Sequence, residues 1–332
     1  MSNNGIRRNG IAHLTTILLG LKPEILSRRQ LDRIQEIQPH ARLVITADRD
    51  EIEPIIEEID IAAAHFPIPW IPRAKRLRWF QQWGAGTDWL LRHPEIAQMD
   101  FTLTNASGVH SIPISEHILA FLLAFARKLP NAFRAQSEGR WDRDMGAFEL
   151  AGKTMLLIGV GAIGKRTAQI ADALGMNVIG MRRSHNTSMP PGVRHMVRPD
   201  ALLDTLPEAD FVILTQPLTE ETRNMIDAKA LARMKPSAYL INIGRGGTVD
   251  EPALIEALER GKIAGAGLDV FATEPLPPDS PLWKMDNVII TAHYSGETPH
   301  YDERAMEIFI ENLERYTRGE PLRNQVDKQR GY

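Results

Sequence analysis

The sequence predicts an α/β protein built from two doubly wound parallel-sheet domains, on three observations. Its 332 residues suggest about two domains. Strand-like and helix-like stretches alternate along most of the chain, the pattern of a parallel sheet covered by helices on both faces. Near the middle, an apolar run at 155–158 leads straight into Gly159-Val160-Gly161-Ala162-Ile163-Gly164 and then into a helical pattern.

Taken in order, 14–19 reads as a strand and Pro23 sits near the start of a helix to about 37. Strands at 43–46 and 59–63 bracket a helix at 51–58, and 71–76 is helical. The stretch 79–83 is a strand ending at Gly84-Ala85-Gly86, and 101–104 is a further strand. Asn105, Ser107 and Gly108 are turn formers and place a boundary near 105–110. Residues 113–129 form one long helical pattern. Strands then fall at 155–158, 177–181, 211–214, 239–243, 263–269 and 288–291, with helices near 227–234 and 251–260. After Thr298-Pro299 a last helix runs to about 316. The expected division is 1–107 plus 298–332 as one domain, completed by the C-terminal segment, with 108–297 as the other.

The glycine stretch is G-x-G-x-x-G in its required setting, after a strand and opening a helix. Gly159 permits the tight turn, Gly161 lets backbone approach a pyrophosphate, and Gly164 lets the helix pack on the strand. The amides of Ala162 and Ile163 open that helix, whose free N–H groups and positive dipole end suit phosphate. This is a Rossmann-like dinucleotide site. Where an NAD-preferring site ends its second strand in Asp or Glu, this chain has Arg182-Arg183-Ser184. Two guanidiniums suit a 2′-phosphate, so NADP(H) is expected over NAD(H).

Composition excludes several classes. Charged residues are 24% and the net charge is −3, so no global field favours nucleic acid or an anionic membrane. Cysteine is absent, which removes disulfides, Cys-ligated zinc and thiol nucleophiles and fits a reducing, cytoplasmic setting. No metal is expected. The apolar stretch 118–126 is too short to span a bilayer and reads as a buried helix. The N-terminal stretch has no signal-peptide pattern.

Polar segments at the ends of later strands carry the chemistry. They are Asn242-Ile243-Gly244-Arg245-Gly246-Gly247, Asp269-Val270-Phe271-Ala272-Thr273-Glu274-Pro275 and Thr291-Ala292-His293-Tyr294-Ser295-Gly296. Open α/β sheets bind ligands at that edge. With GVGAIG at 159–164, INIGRGGTVDEPAL at 241–254, GLDVFATEPLP at 267–277, SPLW at 280–283, NVIITAH at 287–293 and WGAGTDWL at 83–90, the chain resembles the D-isomer-specific 2-hydroxyacid dehydrogenases. The resemblance implies a cofactor domain inserted in a substrate domain, with the active site in the cleft between them. It places the catalytic Arg, Glu and His on Arg245, Glu274 and His293, and the carboxylate-binding amides on Ala85 and Gly86.

The physics fits those roles. A guanidinium clamps a 2-oxo acid and polarises its carbonyl. An imidazole oriented by a carboxylate exchanges the proton. Further expected cofactor contacts are Gln216, Pro217, Thr222, Ile243, Gly244, Asp269, Ser295 and Gly296. The implied function is reduction of a small 2-oxo acid to a D-2-hydroxy acid, NADPH preferred, by a homodimer joined through 114–129 and 131–150. The alternative is a dinucleotide-sensing corepressor of the same fold. Trp141 and Met145 are expected to pack in the core or an interface.

Overall fold

A computed structural model describes residues 14–143, 145–183 and 188–331; Ser184 lies outside the described residues. The chain divides into two compact units, Met1–Ala106 with Asp302–Tyr332, and Ser107–Tyr301. Each is a parallel α/β sheet, as the alternating pattern requires.

The first unit has five strands, β1 (Thr16–Gly20), β2 (Arg42–Ile45), β3 (Ile61–Ala64), β4 (Trp79–Gln81) and β5 (Thr102–Thr104), in the order β2-β1-β3-β4-β5. All of β1 is buried, because both faces of a parallel sheet are covered. The helix expected from Pro23 comes in two pieces. A short 3-10 turn, Pro23–Ile25, is followed by a fresh start at Arg28–Ile37. Ser27 sets that start, since its hydroxyl accepts from the Gln30 N–H while the Gln30 side chain accepts from the Ser27 N–H. The helix Tyr301–Arg318 buries Ala305, Met306, Phe309, Ile310 and Leu313, and Phe309 stacks on Trp79 with centroids 5.3 Å apart.

The second unit has seven strands: β6 (Thr154–Ile158), β7 (Asn177–Met181), β8 (His195–Val197), β9 (Phe211–Leu214), β10 (Tyr239–Asn242), β11 (Gly265–Leu268) and β12 (Val288–Ile290). Their order is β12-β11-β10-β9-β6-β7-β8. Winding reverses between β6 and β9, which creates a crevice beyond the carboxyl ends of those strands. Successive residues feed opposite cores. Leu156, Ile158, Val212 and Leu214 pack in one, while Met155, Leu157, Phe211 and Ile213 pack in the other.

The long pattern at 113–129 is also two helices, Ser111–Ala126 and Leu129–Ser137. Lys128 between them is left-handed at φ +55°, and Pro130 sits in the first turn of the second helix, where its missing N–H costs nothing. The apolar middle is buried through Ile118, Phe121, Leu122, Phe125 and Ala126. Trp141, by contrast, is 89% exposed, so core packing is corrected for that side chain. Strand β8 was not anticipated, because three edge residues, His195-Met196-Val197, give no periodic run. Among the described residues no helix is long and apolar enough to cross a membrane.

Candidate active site

The glycine turn lies at the crevice edge. Gly159 has φ +94°, and a Cβ there would fall 2.7 Å from the Gln216 backbone nitrogen. A Cβ on Gly164 would fall 2.3 Å from the Gly159 carbonyl oxygen, which is how the helix Ala162–Ala173 closes on β6. Gly161 caps that helix and faces open space; nothing lies within 4 Å of its would-be Cβ. Ala162 is exposed and Ile163 half-buried at the same helix end.

Gln216, at the exit of β9, is 7% exposed, and neither its Oε1 nor its Nε2 has a hydrogen-bond partner. A buried amide left so costs about 1–3 kcal/mol per group unless a ligand completes it. Open space over Gly161, a helix N-terminus and an unsatisfied amide together fit a dinucleotide. Ile243 and Gly244 are buried beside this site, and a Cβ on Gly244 would meet the Gln216 carbonyl at 2.8 Å. Pro217 is exposed. The Thr222 hydroxyl is spent inside the loop, donating to the Pro217 carbonyl at 2.7 Å and accepting from the Thr219 N–H at 2.8 Å. Arg182 and Arg183 follow β7 directly, half-buried and exposed respectively.

The other three loops leave β10, β11 and β12. Arg245 starts the turn after β10, and its Nη1 donates to the Gly244 carbonyl at 2.8 Å. Asn242 braces the turn: its Nδ2 donates to the Arg245 carbonyl at 3.0 Å and its Oδ1 accepts from the Gly244 N–H at 3.0 Å. Gly246 is obligatory, because a Cβ would lie 1.9 Å from the Phe271 carbonyl carbon. The loops bearing Arg245 and Glu274 are thus in direct backbone contact.

Glu274 and His293 are brought together, with His293 Nδ1 2.7 Å from Glu274 Oε2. The other carboxylate oxygen of Glu274 accepts from the Phe271 N–H at 3.0 Å, so both oxygens are fixed. His293 is left-handed at φ +55°, a conformation costly outside glycine and characteristic of functional sites. Its N–H donates to the Asp269 carbonyl at 2.9 Å. The Asp269 carboxylate is fully buried and accepts from Thr291 Oγ1 at 2.6 Å and from the Tyr294 and Ser295 N–H groups, each at 3.1 Å. Asp269 therefore shapes the 293–296 loop from beneath, with Ser295 buried and Gly296 half-buried within it. In the first unit, Ala85 and Gly86 occupy the loop leaving β4, half-buried.

In the second unit the sequence gives no sign of two further residues, His110 and His117. His117 lies within 3.0 Å of the Thr291 hydroxyl and extends the Asp269 network. His110 stacks on Tyr301 with centroids 5.0 Å apart, and a Cβ on Gly296 would meet its ring at 2.9 Å. Burial holds both imidazoles below their ordinary pKa; the nearby Arg245 adds to this for His110, while Asp269 opposes it for His117. Each is a lone His in the sequence, far from its partners along the chain, and no spacing signals it. Among the described residues no cluster suited to a metal occurs.

A doubly wound parallel sheet with a G-x-G-x-x-G turn at its crevice and a paired Glu and His on nearby loops is the layout of the dinucleotide-dependent oxidoreductase class. Comparison with known proteins makes the family particular. The profile of the D-isomer specific 2-hydroxyacid dehydrogenase, NAD binding domain, matches residues 119–295. A glyoxylate reductase of Korarchaeum cryptofilum is 33% identical over 93% of this chain and 97% of its own. A D-3-phosphoglycerate dehydrogenase of Methanocaldococcus jannaschii is 37% identical over 77% of this chain; the match spans about half, 49%, of that relative's length. A D-isomer specific 2-hydroxyacid dehydrogenase of Xanthobacter autotrophicus, solved with NADPH and MES, superposes with a TM-score of 0.81 at 32% identity, covering 97% of this chain and 100% of that one. The chain belongs to the D-isomer-specific 2-hydroxyacid dehydrogenase family.

Proposed function

We propose that the protein is an NADP(H)-dependent reductase that converts a small 2-oxo acid to a D-2-hydroxy acid. The observation that carries this is the His293–Glu274 pair, 2.7 Å apart, with the second Glu274 oxygen held by the Phe271 N–H. The bound nicotinamide supplies a hydride to the carbonyl carbon. His293 gives a proton from Nε2 to the carbonyl oxygen, and Glu274 on Nδ1 fixes the tautomer and ring plane for that transfer. Arg245 polarises the carbonyl and stabilises negative charge developing on its oxygen. The Ala85 and Gly86 amides hold the carboxylate. In the reverse direction the neutral imidazole accepts the alcohol proton. Arg182 and Arg183 support NADP(H), as does the NADPH in the Xanthobacter relative.

Assembly as a homodimer is part of this reading. Phe133 and Trp141 stand 64% and 89% exposed on the segment expected to meet a second copy, more apolar surface than a monomer usually leaves there. Absence of cysteine is compatible with a cytoplasmic setting.

The test is oxidation of NADPH and NADH with a panel of 2-oxo acids. NADPH-linked turnover of at least one is expected; dinucleotide binding without any turnover would instead favour the corepressor-like reading. Arg182→Ala with Arg183→Ala should weaken NADPH by about 2–4 kcal/mol and spare NADH. NADH used by the wild type as well as NADPH defeats the cofactor assignment. A monomeric mass by light scattering at micromolar concentration defeats the dimer.

A further inference from the structure

The carbonyls of the loop leaving β4 are held chiefly by side-chain amides. Gln82 Nε2 donates to the Gly84 carbonyl at 3.2 Å and also to the Gly86 carbonyl. Asn105 Nδ2 donates to the carbonyl between them, that of Ala85, at 2.9 Å. The Ala106 N–H adds a second bond to the Gly84 carbonyl at 3.1 Å. Three consecutive carbonyls are therefore pinned.

Each peptide unit is planar and trans, so its C=O and the following N–H point in opposite directions. Pinning the carbonyls of Gly84, Ala85 and Gly86 aims the N–H groups of Ala85, Gly86 and Thr87 the other way. Among the described residues no acceptor takes the N–H of Ala85 or Gly86. The direction in which these amides point is a consequence of two side chains behind them.

The amides behind are themselves fixed. The Trp89 indole N–H, a donor that cannot accept, gives its hydrogen bond to Gln82 Oε1 at 2.6 Å. That settles which end of the Gln82 amide faces the two carbonyls. Asn105 is held by its main chain: its N–H donates to the Asn324 carbonyl at 3.1 Å and its carbonyl accepts from Asn324 Nδ2 at 3.2 Å. Gly84 does not set the geometry by size, since the nearest atom to its would-be Cβ is Gln82 Nε2 at 3.6 Å.

We infer that Gln82 and Asn105 are positioning residues for the substrate carboxylate, with Trp89 setting the orientation of Gln82. They touch no substrate. They preorganise the backbone amides that do, so that no loop rearrangement opposes anion binding. This rests on the assignment of Ala85 and Gly86 to the carboxylate, and the test separates the two.

The probe is oxamate, a carboxylate bearing a neighbouring amide carbonyl, bound to the enzyme–NADP complex and followed by calorimetry; neutral oxamide is the control. Gln82→Met keeps length and removes both donors. It should raise the oxamate Kd about 10–100-fold, the scale of losing an oriented charge-assisted hydrogen bond. NADP affinity should not change. In turnover, KM for the 2-oxo acid should rise with kcat within about threefold of wild type, the signature of lost uniform binding. Gln82→Glu, which keeps the Trp89 bond but turns oxygen toward the carbonyls, should do the same. Trp89→Phe should act in the same direction and more weakly, and adding it to Gln82→Met should bring no further loss. A folded Gln82→Met that binds oxamate like wild type, or that loses NADP to the same degree, overturns the inference. A wild type that binds oxamide as well as oxamate overturns the carboxylate assignment itself.

Discussion

In the first unit the loop leaving β4 is held by side chains: Gln82, Asn105 and Trp89 secure the peptides of 84–87, and the Gly84 position has room. In the second unit the loops have side-chain braces too, Asn242 and Asp269, but to these they add contacts that only the lack of a side chain allows. Gly159, Gly164, Gly244 and Gly246 each bring backbone against backbone at distances a Cβ would forbid. The difference teaches where rigidity resides. Side-chain tethers can be loosened one hydrogen bond at a time, whereas a glycine contact is all or nothing. The 84–87 loop is therefore adjustable by mutation in small steps, and the glycine contacts of the second unit are not.

The largest effect that would sharpen this contrast is at Gly246. Gly246→Ala must displace the Phe271 carbonyl, and with it the approach between the Arg245 and Glu274 loops. A loss of about 4 kcal/mol or more, or failure to fold, is expected in denaturant titration, against about 0.5 kcal/mol for Gly84→Ala. Equal effects at the two positions would erase the distinction.

Next comes His293. His293→Gly removes the imidazole from a left-handed position that glycine occupies freely. Turnover should fall about 10²–10⁴-fold, while denaturant stability stays within about 1 kcal/mol. An active variant ends the proton-transfer role.

Gly161 separates the two uses of glycine within one motif. Its would-be Cβ meets nothing, so Gly161→Ala should fold like wild type. The methyl would occupy space proposed for the pyrophosphate, and dinucleotide Kd should rise at least about tenfold, or 1.4 kcal/mol. If stability falls instead, Gly161 belongs with its neighbours as a packing glycine.

The smallest effect concerns acid. Burial lowers His110 and His117 in the folded second unit from the ordinary 6.5. The unfolded chain then takes up protons first as pH falls, so stability present above about 6.5 is lost below it. In the first unit Glu311 is lowered from 4.5 because its bonds to Arg323 and Arg315 outweigh burial, and its contribution persists until pH falls through the carboxylate range. Melting curves between pH 8 and 5 should show a decline that His110→Gln with His117→Gln flattens. An unchanged slope in that variant discards the assignment.

This contrast also explains what was legible. The second unit announces itself because close backbone approach demands glycine at fixed offsets, and β7 and β9 fall on 177–181 and 211–214 as read. Glu274 and His293 stand out because the segments around them are distinctive. Gln82, Asn105, His110 and His117 gave no such signal. Their partners, such as Asn324 for Asn105 and Thr291 for His117, are distant in the chain, and glutamine or asparagine in a loop has no positional rule. Helix breaks at Leu26 and at Lys128 were missed for a similar reason: a cap or a left-handed residue interrupts a period without altering the apolar count.

The alternation of β6 between two apolar cores has a consequence for how the chain finds its register. Sliding β6 by one residue would exchange Met155, Leu156, Leu157 and Ile158 among themselves, apolar for apolar, and polarity or size would change only at the ends, where Thr154 or Gly159 would enter. The middle of the strand carries little phase of its own. Phase is written at its end, where Gly159 lies against Gln216 and under Gly164 with no tolerance for a displaced Cβ. The glycine turn thus serves as the reading-frame mark for the central strands, and a shifted sheet would be rejected there before its cores could accept it.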